Sequence, residues 1–148
     1  MNGSIQSSEE MRISPFDHGF TVGNGVFETM ISYEGYPFAF TRHYQRLERS
    51  AAVMGLSLRP QNELLEASLQ VLGVNDLSGR RARLRITVTG GPAPLGSERG
   101  NSGETTLVAA GPAMEWSDME DVIVVCHSRN ENGALAGVKS TSYGENVV

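Results

Sequence analysis

Hydrophobic positions along this chain change period twice. After a Gly23-Asn24-Gly25 turn, Val26-Phe27-Glu28-Thr29-Met30-Ile31-Ser32-Tyr33 is dense in β-branched and aromatic residues and predicts a strand. Glu34-Gly35 turns the chain, and Tyr36-Pro37-Phe38-Ala39-Phe40 returns as the second arm of a hairpin. Pro37 confines that arm to an edge or a strand start. The period then lengthens. Tyr44, Leu47, Ala51 and Met54 recur at helical spacing behind a candidate N-cap at Thr41, and Gly55 closes the run. A second helix begins near Pro60, with Leu65, Leu69 and Leu72 on one face and Gly73 as its stop. Strict alternation resumes from Ala82 to Thr89, where Leu84, Ile86 and Val88 oppose Arg83, Arg85 and Thr87. Thr105–Ala110 and Asp121–Cys126 predict two more strands, separated from the third by a Gly/Pro/Ser-rich loop over 90–103. The order β-β-α-α-β-β-β predicts an α+β fold, a mostly antiparallel sheet with two packed helices.

Both ends differ from this middle. Residues 1–14 predict a mobile lead-in that becomes a strand, and Ser14-Pro15-Phe16-Asp17-His18-Gly19 predicts a loop. Residues 128–137 are polar and turn-rich, the composition of a linker. Residues 138–148 then open something new, with a helix starting near Ser142. The expected organisation is a small N-terminal domain over 1–127, a linker over 128–137, and the start of a truncated second domain over 138–148.

Composition narrows the class. The 148 residues carry a formal net charge of −5, and no stretch approaches the length of apolar residues that a membrane span requires. The first ten residues are polar and acidic, unlike a targeting peptide, so the cytoplasm is the default compartment. The acidic balance argues against general nucleic-acid binding. One cysteine, Cys126, allows no intrachain disulfide, and His18, His43 and His127 show no ligand spacing, so no metal is expected. Charge is uneven: residues 41–60 and 80–100 form two arginine-rich islands, most simply solvated faces, with an anion site as the alternative. Of the 12 Lys+Arg, only Lys139 is a lysine.

Four positions could carry chemistry. Lys139 lies among Leu135, Ala136 and Val138, a setting in which a lysine can be partly buried; an amine is a nucleophile once deprotonated, which burial or a neighbouring cation promotes. The bland alternative is a surface lysine. Ser140, Thr141, Ser142 and Tyr143 supply hydroxyls beside it. Arg46 sits on the first helix with Arg42 and Arg49 at i−4 and i+3, where a guanidinium could pair with a phosphate or simply face water. Phe27 and Glu28 point to opposite faces of their strand, and a pocket-lining aromatic competes with an ordinary core phenylalanine. Asp17-His18 reads more simply as an exposed loop pair than as an acid–base couple.

Together these motifs resemble one family. Ser14-Pro15-Phe16-Asp17-His18-Gly19-Phe20 leading to Gly23-Asn24-Gly25-Val26-Phe27-Glu28, then His43-x-x-Arg46-Leu47-x-x-Ser50-Ala51, then Ala136-Gly137-Val138-Lys139-Ser140 with Asn146-Val147, resemble in order the class IV aminotransferases, the fold-type IV pyridoxal-phosphate enzymes. The resemblance implies pyridoxal 5'-phosphate as cofactor and Lys139 as its Schiff-base lysine and proton carrier. It further implies that Arg46 holds the phosphate, that Tyr143 assists at the cofactor, and that Phe27 stands near the substrate. Arg85 or Arg99, flanking the long loop, are the candidates for a substrate carboxylate. A small amino substrate and a homodimer follow by the same resemblance.

Within the family, Leu135-Ala136-Gly137-Val138-Lys139 leans slightly to the 4-amino-4-deoxychorismate lyases of folate synthesis, which release pyruvate and leave 4-aminobenzoate. D-amino-acid and branched-chain aminotransferases share the pattern. The family carries a second domain after the lysine that completes the cofactor pocket, supplied in cis or as a separate chain. Residues 1–148 alone are therefore expected to be inactive. A non-catalytic α+β partner module is the reading from another class.

Overall fold

The computed structural model describes residues 1–147; Val148, the last residue of the segment 138–148 assigned to a second domain, lies outside the described residues. Its centre is a four-stranded antiparallel sheet in the order β2-β1-β3-β4, formed by β1 (Gly25–Tyr33), β2 (Tyr36–Pro37), β3 (Ala82–Thr89) and β4 (Thr105–Pro112). β1 pairs with β3 along its whole length, Val26 opposite Val88 and Met30 opposite Leu84. One face of the sheet is covered by α2 (Phe40–Met54), packed on β1, and α3 (Gln61–Val74), packed mainly on β4. Alternation in β3 buries Ala82, Leu84, Ile86 and Val88, which meet Val26, Met30, Leu47, Ala51, Leu64 and Leu72 in one core. Apolar burial of this kind is the main stabilising term of the domain.

A short helix, α1 (His18–Thr21), occupies part of the stretch predicted as loop. Asp17 caps it, accepting from Gly19 N–H at 2.8 Å and from Thr89 Oγ1 at 2.9 Å, while His18 Nε2 lies 3.0 Å from the Pro94 carbonyl oxygen. The pair expected to be exposed is therefore buried, tying α1 to β3 and the 90–103 loop. α2 starts two residues earlier than predicted, from Ala39 in a left-handed conformation, and Thr41 caps nothing: its hydroxyl accepts from Gln61 Nε2. The buried face of α3 is Leu64, Ser68 and Leu72, with Leu65 half-buried and Leu69 turned outward. Ser68 hides this register because its hydroxyl is satisfied within the helix by Leu64 O at 2.6 Å. α3 also runs through Gly73 to Val74.

Three predicted elements are absent among the described residues. The lead-in forms no strand; Asn2 instead pairs with Thr106 through its amide and side chain. Residues 121–126 enter no ladder, and Val122, Ile123 and Val124 are exposed: an uninterrupted apolar run needs cover on both faces, and none of the described residues supplies it. The helix expected near Ser142 is only a 3-10 turn, Gly144–Asn146.

Arg99 anchors the long loop. Its Nη1 and Nη2 donate to the Gly55 and Met54 carbonyls at 2.6 and 2.7 Å, closing the C-terminus of α2, where a cation is favoured. Arg99→Ala is expected to cost about 1 kcal/mol in urea unfolding and to speed proteolytic nicking within 90–103.

Candidate active site

The site grows from one local feature of β1. Its partner β2 covers only Ser32 and Tyr33, so the edge at Gly25–Phe27 is open. Residues 139–141 take that edge: Phe27 N–H donates to Lys139 O at 3.0 Å, Thr141 N–H to Gly25 O at 2.8 Å, and Val26 faces Ser140. Gly137 at φ +77° lets the chain turn in just before. Thr141 Oγ1 and Ser142 Oγ both donate to Gly23 O, at 3.1 and 3.2 Å, tying the segment to the glycine turn.

Alternation along β1 then separates two clusters. On the face away from α2, Phe27 collects the candidate residues. Lys139 Nζ stands 4.3 Å from its ring centre and 5.5 Å from that of Tyr143, and the two rings meet edge to face at 5.2 Å. The Arg85 guanidinium lies 3.7 Å over the same Phe27 ring, a stacked cation–π contact. Burial pulls the Arg85 pKa down, opposed by the charge of Tyr143, and Arg85 has no carboxylate partner among the described residues. Lys139 itself is half-buried against the Phe27 and Tyr143 rings, while Leu135 and Ala136 of its apolar flank are exposed.

On the helix face, Glu28 is fully buried and is gripped by α2. Arg46 Nε and Nη2 reach its two oxygens at 2.5 and 2.7 Å, and His43 Nδ1 lies 2.7 Å from Oε2. A carboxylate only accepts, so His43 Nδ1 carries the hydrogen. Burial alone would raise the Glu28 pKa, but the bonds from Arg46 and then His43, together with their charges, outweigh it and hold the carboxyl below 4.5. The bond to Glu28 raises the Arg46 pKa in return. Arg42 and Arg49, the helical neighbours, are exposed and take no part.

The structure thus brings together Lys139, Tyr143, Phe27 and Arg85, and sets Arg46 on the other face of the strand. Arg99 is held elsewhere, at the end of α2. Sequence reasoning missed the roles of Glu28 and His43. Their only signal is the i, i+3 spacing of His43 and Arg46 and the strand alternation that turns Glu28 toward them. Among the described residues no cluster of metal-ligating side chains exists, and no helix is long and apolar enough to cross a membrane.

A pyridoxal phosphate suits this donor set. Lys139 presents an amine beside an aromatic wall, and Arg46, oriented through Nε and Nη2, leaves Nη1 with no protein partner among the described residues. An antiparallel sheet with helices on one face matches the N-terminal domain of the class IV aminotransferases. The chain belongs to the class IV amino-transferase family, whose model matches residues 25–148. Family members are pyridoxal-phosphate-dependent aminotransferases and lyases.

Among its relatives is an aminodeoxychorismate lyase of Bacillus subtilis, 37% identical over 97 residues, 65% of this chain and 33% of that protein. A candidate branched-chain-amino-acid aminotransferase of Methanocaldococcus jannaschii is 33% identical over 108 residues, 72% of this chain and 37% of that protein. Staphylococcal D-alanine aminotransferases also match. A solved candidate 4-amino-4-deoxychorismate lyase from Legionella pneumophila shares the fold at TM-score 0.85 and 21% identity, over 97% of this chain and 53% of that one. The chain spans between a third and about half of the length of these relatives.

Proposed function

We propose that this chain is the lysine-bearing part of a pyridoxal-phosphate enzyme that acts as a 4-amino-4-deoxychorismate lyase, eliminating pyruvate and leaving 4-aminobenzoate. The observation that carries the reading is the 37% identity to the Bacillus subtilis lyase. In it, residues 1–127 are the small domain, 128–137 the linker and 138–148 the entrance to a second domain. The homodimer, the cytoplasmic setting and the place in folate synthesis belong to the same proposal.

The bound cofactor supplies an electron sink for the carbon that carries the substrate amine. Lys139 Nζ holds the cofactor and moves the proton at that carbon. Arg46, fixed by Glu28, presents Nη1 to the phosphate, a role that suits a guanidinium. Phe27 and Tyr143 wall the lysine. Arg85, exposed beside the Phe27 ring and without a carboxylate partner among the described residues, accepts the substrate carboxylate in this reading. Arg99 has no part in this site, since both its Nη groups are spent on α2 carbonyls.

The second reading is amino transfer, favoured by the larger share of this chain, 72%, that the Methanocaldococcus jannaschii relative matches. Both reactions begin with the same proton removal, so Lys139 does not separate them. Full-length protein with 4-amino-4-deoxychorismate is expected to yield equal amounts of 4-aminobenzoate and pyruvate, and no transfer from D-alanine or leucine to 2-oxoglutarate. Transfer without 4-aminobenzoate replaces the lyase by the aminotransferase. Neither product, with no cofactor absorbance band, leaves a non-catalytic module.

A further inference from the structure

We propose that Ser50 is a positioning residue that fixes Lys139 relative to the Arg46-bearing helix. The inference rests on the cofactor roles read above for Lys139 and Arg46. Residues 139–141 begin an antiparallel ladder with β1, and a regular ladder would send the Lys139 N–H back to the Phe27 carbonyl, completing a reciprocal pair. It goes instead to Ser50 Oγ, at 3.1 Å across 89 positions of sequence. The Lys139 main chain is thereby held by two elements, its carbonyl by the strand and its amide by the helix.

Ser50 is 2% exposed and lies one helical turn beyond Arg46, so the two side chains share a face of α2. Arg46 uses that face to grip Glu28, and Ser50 uses it to grip Lys139. Phe27 and Glu28 point to opposite sides of β1, which puts the lysine amine and the guanidinium on either side of the strand edge. The Ser50 bond is the direct tie between the helix that carries one and the backbone that carries the other. Two other buried serines behave differently. Ser68 satisfies its hydroxyl within its own helix, and Ser32 Oγ finds no partner among the described residues. A helical serine ordinarily turns back to the preceding carbonyl, as Ser68 does; Ser50 reaches outward to the one lysine of the chain.

The test uses full-length protein with Ser50→Ala, Ser50→Cys and, as a control that loses a buried serine bond within its own helix, Ser68→Ala. Three quantities are read: the rate at which borohydride traps pyridoxal phosphate on Lys139, followed by mass spectrometry; hydrogen exchange of the Lys139 amide; and the thermal midpoint. Ser50→Ala leaves a part-buried N–H without its acceptor and is expected to slow trapping about tenfold and to expose the amide to exchange. Ser68→Ala is expected to lower the thermal midpoint and to leave trapping and exchange unchanged. Ser50→Cys, similar in size and a weak acceptor, falls between wild type and alanine, and it carries the comparison if the alanine variant does not fold. Wild-type trapping and wild-type protection of the amide in Ser50→Ala, or in Ser50→Cys where only that variant folds, overturn the proposal. Wild-type protein that traps no cofactor on Lys139 overturns the cofactor reading instead; amide exchange in the Ser50 variants still decides whether Ser50 holds the lysine backbone.

Discussion

Lys139→Ala is expected to abolish covalent capture of pyridoxal phosphate and to lower turnover of the full-length enzyme by on the order of 10^3-fold or more, the scale of losing a positioned proton-transfer group. The domain should survive the change. What Lys139 gives to the fold is its main chain, through Phe27 N–H to its carbonyl and its own N–H to Ser50 Oγ, and alanine keeps both. Its side chain adds only contacts with the Phe27 and Tyr143 rings. The thermal midpoint is therefore expected to move little while the borohydride-trapped adduct disappears from the mass spectrum. Lys139→Arg sharpens the comparison. It keeps a cation over Phe27 but cannot capture the cofactor, so it should behave as alanine does in trapping. A Lys139→Ala protein that still carries covalently bound cofactor and turns over substrate at the wild-type rate overturns the assignment.

Some of this site is legible in the sequence because the signals are local. Leu84, Ile86 and Val88 alternate so strictly that β3 and its buried face follow directly, and their partner β1 is marked by its β-branched and aromatic content. Lys139 stands out as the single lysine, in a segment whose small residues let the chain approach β1. What the sequence hides are pairings between distant elements. Glu28 and Arg46 are 18 positions apart on a strand and a helix, and nothing local says that the carboxylate is buried beneath the guanidinium. Asp17 and His18 look like an exposed loop pair because the groups that bury them, Thr89 and the Pro94 carbonyl, lie more than 70 positions away. Arg99 likewise flanks the loop in sequence, yet the loop folds back so that its charge meets the end of α2. The apolar run at 122–125 carries the opposite lesson: β-propensity reports a need for cover and not what supplies it.

The second large effect belongs to the Glu28–Arg46 pair, where stability and cofactor binding are expected to separate. Arg46→Ala leaves a fully buried carboxylate with only His43, and removing one partner of a buried pair costs about 3 kcal/mol; water reaching the half-exposed arginine site softens this. The same change removes the guanidinium proposed to meet the phosphate, so the cofactor should bind more weakly even where the domain is folded. Glu28→Gln keeps the shape but turns an amide toward groups that donate, at a cost of about 2 kcal/mol. Its arginine remains, so its cofactor affinity should fall less than that of Arg46→Ala.

Acid distinguishes the two further. The Glu28 carboxyl is held below 4.5 in the folded protein, so the unfolded chain binds its proton first as pH falls. The stability it contributes is complete above the ordinary value near 4.5 and drains away as pH drops through the lower folded value. Glu28→Gln has no such proton to take up. Its unfolding free energy is therefore expected to lie below that of the wild type at pH 7 and to converge on it toward pH 3, measured by urea unfolding across that range. Parallel acid limbs, with the gap unchanged from pH 7 to pH 3, would mean that Glu28 takes up its proton equally in the folded and unfolded chains and that its bonds to Arg46 and His43 do not lower its pKa.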